Sequence, residues 1–523
     1  MAARESRGFI RKYLFDTEIL RLMALIVLVK PLGLITQVLI AKYFGAGPEY
    51  DAYALALFVI VFVGMVLGQV FTSVVVPFVI KLRGTLEPDR LLGFQNAVIA
   101  VFGAVALAST VVLVLFADGI VDLAGPGLPE TTRGYAIRMV RWMAVPGALL
   151  LLVAMGKAVL NLNRKYRLAT SMPSLHAAVI LAAILLLHGR LGIWSIVVGF
   201  AASQLLQTVL VWGRALHGRH VALRRFSLPE GTAGRLWSLG WALLLTQSFL
   251  LLFEFIDKIF ASFLEAGNIS SLAYAATVKS FVIQLFQFSL VTVMFTRLSE
   301  LIAADDFDGC GRYIRDNIAR VSRLVVPATL ALALAGGEVV RVLFLRGQFT
   351  AADAERTAGV MSMYALGLPA LVVNLIVSRV FHSLQRMKEK IWLGVQFLVM
   401  NVALNALLIG PLQVKGLALA STITIYCHLL LSFWVLRRYR LGLGARRWAT
   451  VFLGHHALAG VAWLVYVASG FSGLMADWSI RGTTSGDLAI GLCKGLFIFI
   501  VYGITYFGWR RFSSGRHATG HPH

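Results

Sequence analysis

Stretches of roughly 20 apolar residues recur from one end of this chain to the other, and that is the length an α-helix needs to cross a bilayer. Inside lipid every backbone N–H and C=O must find its partner within the segment, so such a pattern folds as helices. By this ruler about fourteen spans are predicted. They lie near 17–43, 51–80, 92–118, 135–160, 168–188, 192–213, 236–264, 270–298, 320–340, 358–383, 391–411, 414–436, 449–470 and 486–508. The predicted fold class is all-α, a polytopic membrane protein with no soluble domain of any size. Composition agrees. Of 523 residues, 59% are hydrophobic and only 14% charged, and the mean hydropathy is +0.80. A soluble domain with that balance would expose large apolar patches and aggregate.

The formal charge is +23, from 48 Lys and Arg against 25 Asp and Glu. In a soluble protein that excess would suggest nucleic acid, but here the basic residues sit in short loops between apolar blocks. Lys81, Arg83 and Arg90 follow the second span, Arg164, Lys165 and Arg167 the fourth, and Arg214, Arg219, Arg224 and Arg225 the sixth. Arg312, Arg315 and Arg320 follow the eighth, Arg386, Lys388 and Lys390 the tenth, and Arg437, Arg438, Arg440, Arg446 and Arg447 the twelfth. Intervening loops such as 45–51, 265–271 and 410–416 are poor in Lys and Arg. The positive-inside rule then predicts both termini in the cytoplasm of a bacterial inner membrane, and excludes nucleic acid as the partner. Arg4, Arg7, Arg11 and Lys12 read as a basic cytoplasmic tail rather than a cleavable signal peptide. Cys310, Cys427 and Cys493 are far apart, so neither a disulfide framework nor a zinc site is expected.

An internal repeat predicts two lobes. Ala46-Gly47, then Ala52-Tyr53-Ala54, recurs as Ala266-Gly267, then Ala273-Tyr274-Ala275. The segment from Lys157 to Arg164 parallels that from Arg379 to Arg386. A constant separation of about 220 residues signals duplication. The expected organisation is an N-terminal lobe at 1–225 (spans one to six), a C-terminal lobe at 226–440 (spans seven to twelve), and 441–523 with the last two spans and a basic tail. Both lobes begin on the same side, as parallel repeats do in some transporters.

Ionisable residues inside spans are costly and face a cavity or a partner. Candidates are Lys30 in span one, Lys157 in span four, Glu254, Asp257 and Lys258 in span seven, Lys279 in span eight and Arg379 in span ten. A cation in a cavity suits a diphosphate or uronic acid. Lys157 and Arg379 lie near the cytoplasmic end, where snorkelling competes with substrate contact. Glu254 and Asp257 share a helix face and either carry a cation or proton or pair with nearby lysines. Asn401 and Asn405 in span eleven also share a face. They read either as oxygen ligands for a hard cation or as interhelical hydrogen-bond partners. Pro173 to His176 echoes a membrane lipid phosphatase signature, but Ser378-Arg379 is followed by His382 too early and by no aspartate, which excludes that enzyme class.

Several segments resemble the MurJ (MviN) lipid II flippases of the multidrug/oligosaccharidyl-lipid/polysaccharide exporter superfamily. They are Leu32-Gly33 with Ala41 to Gly47 and Asp51-Ala52; Ala261 to Leu264 with Gly267 and Tyr274-Ala275; Arg346 to Thr350 with Asp353 and Thr357; and Ile409 to Leu412 with Gly416 to Ala418. The resemblance implies a transporter, not an enzyme. Two lobes would rock about a cationic cavity and carry an undecaprenyl-diphosphate-linked saccharide across the bilayer, with Lys30, Asp51, Lys279 and Arg379 as substrate contacts. It also implies a sodium ion held by Asp257, Asn401, Asn405 and Ser421, with Leu417 at the remaining position of the family's set. The expected assembly is a monomer, alone or with glycan-synthesis machinery. The family's cavity arginines are replaced by Lys30 and Thr36 in span one, Val63 or Gly64 in span two, and Thr277 in span eight. A lysine does not reproduce an arginine's bidentate grip on a diphosphate. Alternatives therefore stand beside lipid II: an exopolysaccharide or O-antigen lipid-linked unit, a drug or cation antiporter, and a non-transporting scaffold.

Overall fold

The computed structural model describes residues 17–218, 232–384, 386–439, 445–476 and 483–518, with Val221, Phe226 and Leu441 besides. Helix follows helix in chain order: α1 (Thr17–Phe44), α2 (Pro48–Leu82), α3 (Pro88–Leu115), α4 (Ala117–Ala124), α5 (Glu130–Leu162), α6 (Tyr166–Leu191), α7 (Trp194–His217) and α8 (Thr232–Ala261). Then come α9 (Asn268–Ala303), α10 (Phe307–Leu334), α11 (Gly336–Phe344), α12 (Ala351–Ser383), α13 (Met387–Leu436), α14 (Ala445–Ala468), α15 (Phe471–Ala476) and α16 (Thr484–Ala518). Helices cover the predicted spans, with α13 serving two and the stretch at 320–340 divided between α10 and α11 at Ala335. Among the described residues nine helices are long and apolar enough to cross a membrane, and Pro31–Phe44 and Phe452–Ala468 are shorter apolar helices. The described residues include no strand.

Local chemistry starts these helices. Pro48 opens α2 with Glu49 and Asp51 in its first turn, and Pro88 opens α3 with Asp89. Proline at the first position has no N–H to leave orphaned, and carboxylates there meet the positive end of the helix dipole. Thr350 caps α12 in a full capping box with Asp353. Just before it, Phe349 is buried against Tyr274 and Phe344, with ring centroids 5.3 and 5.9 Å away. The loop at 346–357 that carries the family resemblance is thus a helix start and an aromatic plug. Side chains such as Leu107, Leu186, Leu407 and Leu496 face outward, as lipid-facing residues do.

The chain forms two compact units, divided between Gly267 and Asn268. The first holds α1 to α8. In it α5 packs on α2, α3 and α7, α6 packs on α1 and α7, and α8 packs on α2; Phe71, Phe94, Leu151 and Met155 form part of its core. The second holds α9 to α16. In it α12 packs on α9, α10 and α13, and α14 and α16 pack on α10 and on each other; Leu298, Ile318, Leu368 and Phe381 lie in its core.

The duplication is visible inside each unit. A short helix, α4 or α11, precedes the fourth span of the set, α5 or α12, and that span is the packing centre. The reversal after the fifth span uses one backbone conformation twice: Gly192 at φ 53°, ψ −135° and Gln413 at φ 50°, ψ −134°. These positions are about 220 residues apart, the spacing of the sequence repeat.

Candidate transport site

Lys30 lies in α1, and its side chain is outside the described residues, as is that of Glu254 in α8. The remaining candidates are placed. Asp51, in the first turn of α2, is 2% exposed, and its carboxylate accepts the Gly267 N–H at 2.5 Å. Gly267 has φ +93°. Close by in the chain, the Gly127 N–H donates to Ser262 Oγ at 3.1 Å. A Cβ at Gly127 would lie 2.7 Å from both Phe263 Cα and the Ser262 carbonyl oxygen, so only glycine admits this approach. The end of α8 and the residues after it are therefore held from two sides, by the start of α2 and by the loop between α4 and α5.

Further along α8, Asp257 is 3% exposed. Lys258 sits over the Phe58 ring at 3.9 Å, and Phe58 stacks on Phe255 at 5.2 Å. A cation on an aromatic face is attracted by the ring quadrupole, and here that attraction fastens α8 to α2.

In the second unit, Lys279 of α9 is buried with its ammonium 4.0 Å from the Tyr364 ring centroid on α12. Arg379 is half-buried at the far end of α12. Asn401, Asn405 and Ser421 are brought together. Asn405 Nδ2 donates to Asn401 Oδ1 at 3.2 Å, and Asn401 Nδ2 donates to Ser421 Oγ at 3.5 Å. Both asparagines are 0% exposed. The network ties the two arms of α13 across the Gln413 reversal. Of the expected sodium set, these three and Leu417 are in the second unit, and Asp257 is in the first. Among the described residues no group of three His, Cys, Asp or Glu side chains could hold a metal. A cation on α13 would be held by amide and hydroxyl oxygens, a donor set of the hard type that alkali and alkaline-earth ions take.

Sequence reasoning passed over a buried ion-pair network. Glu338 of α11 receives Lys494 of α16 at 2.7 Å and Arg341 at 3.3 Å, and Arg341 also meets Asp487 of α16 at 3.0 Å. Burial alone would push the Glu338 carboxyl up; the Lys494 hydrogen bond and the charge of Arg341 outweigh it and hold the group below its ordinary value. The signal was present: Asp487 and Lys494 are seven residues apart, on one face of the last span.

A family model, the lipid II flippase MurJ, matches residues 40–482. This chain belongs to the MurJ family. A probable lipid II flippase MurJ of Buchnera aphidicola is 24% identical, over 91% of this chain and 93% of that protein. One of Thermotoga maritima is 22% identical, over 75% of this chain and 79% of that protein. A solved lipid II flippase MurJ in an inward closed conformation matches with TM-score 0.78 at 21% identity, covering 93% of this chain and 99% of that one. An inward-facing multidrug resistance transporter of the MATE family matches with TM-score 0.68 at 15% identity, over 79% and 95%. The chain is thus a multi-pass membrane protein of a transporter family, not an enzyme, and the MATE scaffold is its structural relative.

Proposed function

We propose that this MurJ-family protein moves a polyprenyl-diphosphate-linked saccharide of the lipid II class across the bacterial inner membrane by alternating access. The observation that carries the reading is the family match across residues 40–482. The physical task is to bring a charged, hydrated headgroup past hydrocarbon. A duplicated helical body that alternates its openings does this while the polyprenyl tail stays in lipid. The body is read as lobes at 1–225 and 226–440 followed by the last two spans, with both termini cytoplasmic.

Lys30 and Lys279 are the proposed diphosphate contacts, with Arg379 as a third cation. Asp51 is assigned a closing role at the outer end, because its carboxylate is engaged with the Gly267 amide. Sodium is the proposed coupling ion, with Asn401, Asn405 and Ser421 as ligands and Asp257 as the carboxylate. A monomer, working beside the enzymes that make and use the lipid-linked precursor, is the expected assembly.

The test is reconstitution. Proteoliposomes loaded with a fluorescent lipid II should show protein-dependent flipping, read by quenching of outer-leaflet headgroups, and Lys30→Ala should abolish it while the protein stays folded. Flipping of an O-antigen-type lipid-linked unit in place of lipid II would move the substrate to the alternative class. Efflux of cationic drugs without any lipid flipping would overturn the proposal.

A further inference from the structure

Lys390 and His382 meet where α12 ends and α13 begins, with Arg379 about one turn back on α12. Lys390 Nζ is 2.6 Å from His382 Nε2. An ammonium has no lone pair, so His382 accepts at Nε2 and carries its single proton on Nδ1. Arg379 precedes His382 by three residues on the same helical face, and its charge reaches both His382 and Lys390. All three side chains are half-buried. Among the described residues the Arg379 guanidinium makes no hydrogen bond or ion pair. His428, from the second arm of α13, lies within reach of Lys390, and its buried Nδ1 has no partner among the described residues.

Among the described residues no carboxylate pairs with Arg379, His382 or Lys390. Glu389 is the sole carboxylate residue between Arg356 and Ala476, and it accepts the Tyr439 hydroxyl. On α9, whose Ser299 contacts Ser383 of α12, Glu300 is paired with Arg297 at 3.0 Å. The α13 terminus adds to the positive potential. Its N-cap is Arg386, with no side-chain cap; Glu389 in the first turn meets its own backbone N–H, and the remaining terminal amides and the positive end of the helix dipole lie beside Lys388 and Lys390. Cations at a helix N-terminus are of the unfavourable sign unless an anion joins them.

We propose that Arg379, His382 and Lys390 form a phosphate-binding site within the second unit. A guanidinium fork and an ammonium suit phosphate oxygens. A basic cluster between helix ends, at the face to which the charge pattern assigns the cytoplasm, suits the phosphodiester of an anionic membrane lipid. Free inorganic phosphate shares that chemistry. The site does not depend on the transport reading, and Arg379 is the one residue the two readings share.

The experiment uses the full-length protein in detergent, with bound lipid read by native mass spectrometry against phosphatidylglycerol, phosphatidylcholine and inorganic phosphate. Wild type should retain phosphatidylglycerol over phosphatidylcholine, and Arg379→Gln with Lys390→Gln should weaken that retention about tenfold or more. Arg379→Lys, which keeps the charge but loses the fork, should fall between wild type and the double variant, and thermal unfolding of each variant reports folding separately. Binding of inorganic phosphate without lipid preference, lost in the same variants, would support the site and name free phosphate as its occupant. Equal retention of phosphatidylglycerol by wild type and folded variants, with no phosphate bound, would overturn it. No transport is measured, so this failure is distinct from failure of the flippase reading.

Discussion

Asp51 and Gly127 act at the same end of α8 by different physics. The Asp51 carboxylate makes a charge-assisted bond to the Gly267 amide, a bond about twice as strong as a neutral one. Asp51→Asn keeps an acceptor and loses the charge, which should weaken the contact by about 1 kcal/mol. A cysteine introduced at Ala266 should then react faster with an impermeant maleimide from outside the cell; an unchanged labelling rate would remove Asp51 from the closing role. Gly127 acts by shape. Gly127→Ala places a methyl 2.7 Å from Phe263 Cα, and the overpacking should cost about 1–3 kcal/mol, seen as a lower melting temperature in detergent. On α13, Asn405→Asp adds a carboxylate to a neutral oxygen set. It should shift any sodium dependence of transport to lower sodium concentration, and an unchanged dependence would count against a cation site there.

At the scale of elements, two joints stand out. Gln413 holds a left-handed conformation that Gly192 holds in the first unit, and such a backbone costs a side-chain-bearing residue about 1–3 kcal/mol. Gln413→Gly should therefore raise the melting temperature, and Gly192→Gln should lower it; the opposite order would refute the shared turn. The second joint is the Glu338, Arg341, Asp487 and Lys494 network that pins α16 to α11. Removing Lys494 alone leaves the buried Glu338 with Arg341 as its remaining cation and should cost about 1–3 kcal/mol, whereas replacing both Glu338 and Lys494 with apolar residues should cost less. The Glu338 carboxyl is held below its ordinary 4.5, so its contribution is full above that value. It is lost as pH falls through the depressed folded value. Melting curves should show no Glu338-dependent loss from neutral pH down to about 4.5, and a loss that sets in below it.

Across the whole molecule, the span pattern was legible because bilayer thickness imposes one length on every helix. The repeat was legible where identical residues recur, as at Tyr53 and Tyr274. It was hidden at Gly192 and Gln413, where different residues take one backbone conformation. The shared face of Asn401 and Asn405 was readable from helical spacing, whereas Ser421 entered only through the family resemblance. The grip on α8 was not, because Gly127 and Ser262 are far apart in sequence and neither is an unusual residue. The cluster at Arg379, His382 and Lys390 escaped for a related reason, since its members sit on both sides of a helix break. On the proposed function, this MurJ-family chain flips a lipid II-class precursor although lysine and threonine stand where the resemblance expects arginine. The most direct measurement expresses it in cells depleted of their own lipid II flippase and assays lipid II on the outer leaflet. Outer-leaflet lipid II and growth should be restored, and both should be lost with Lys30→Ala. Depleted outer-leaflet lipid II, with the protein folded and in the membrane, would contradict the proposed function.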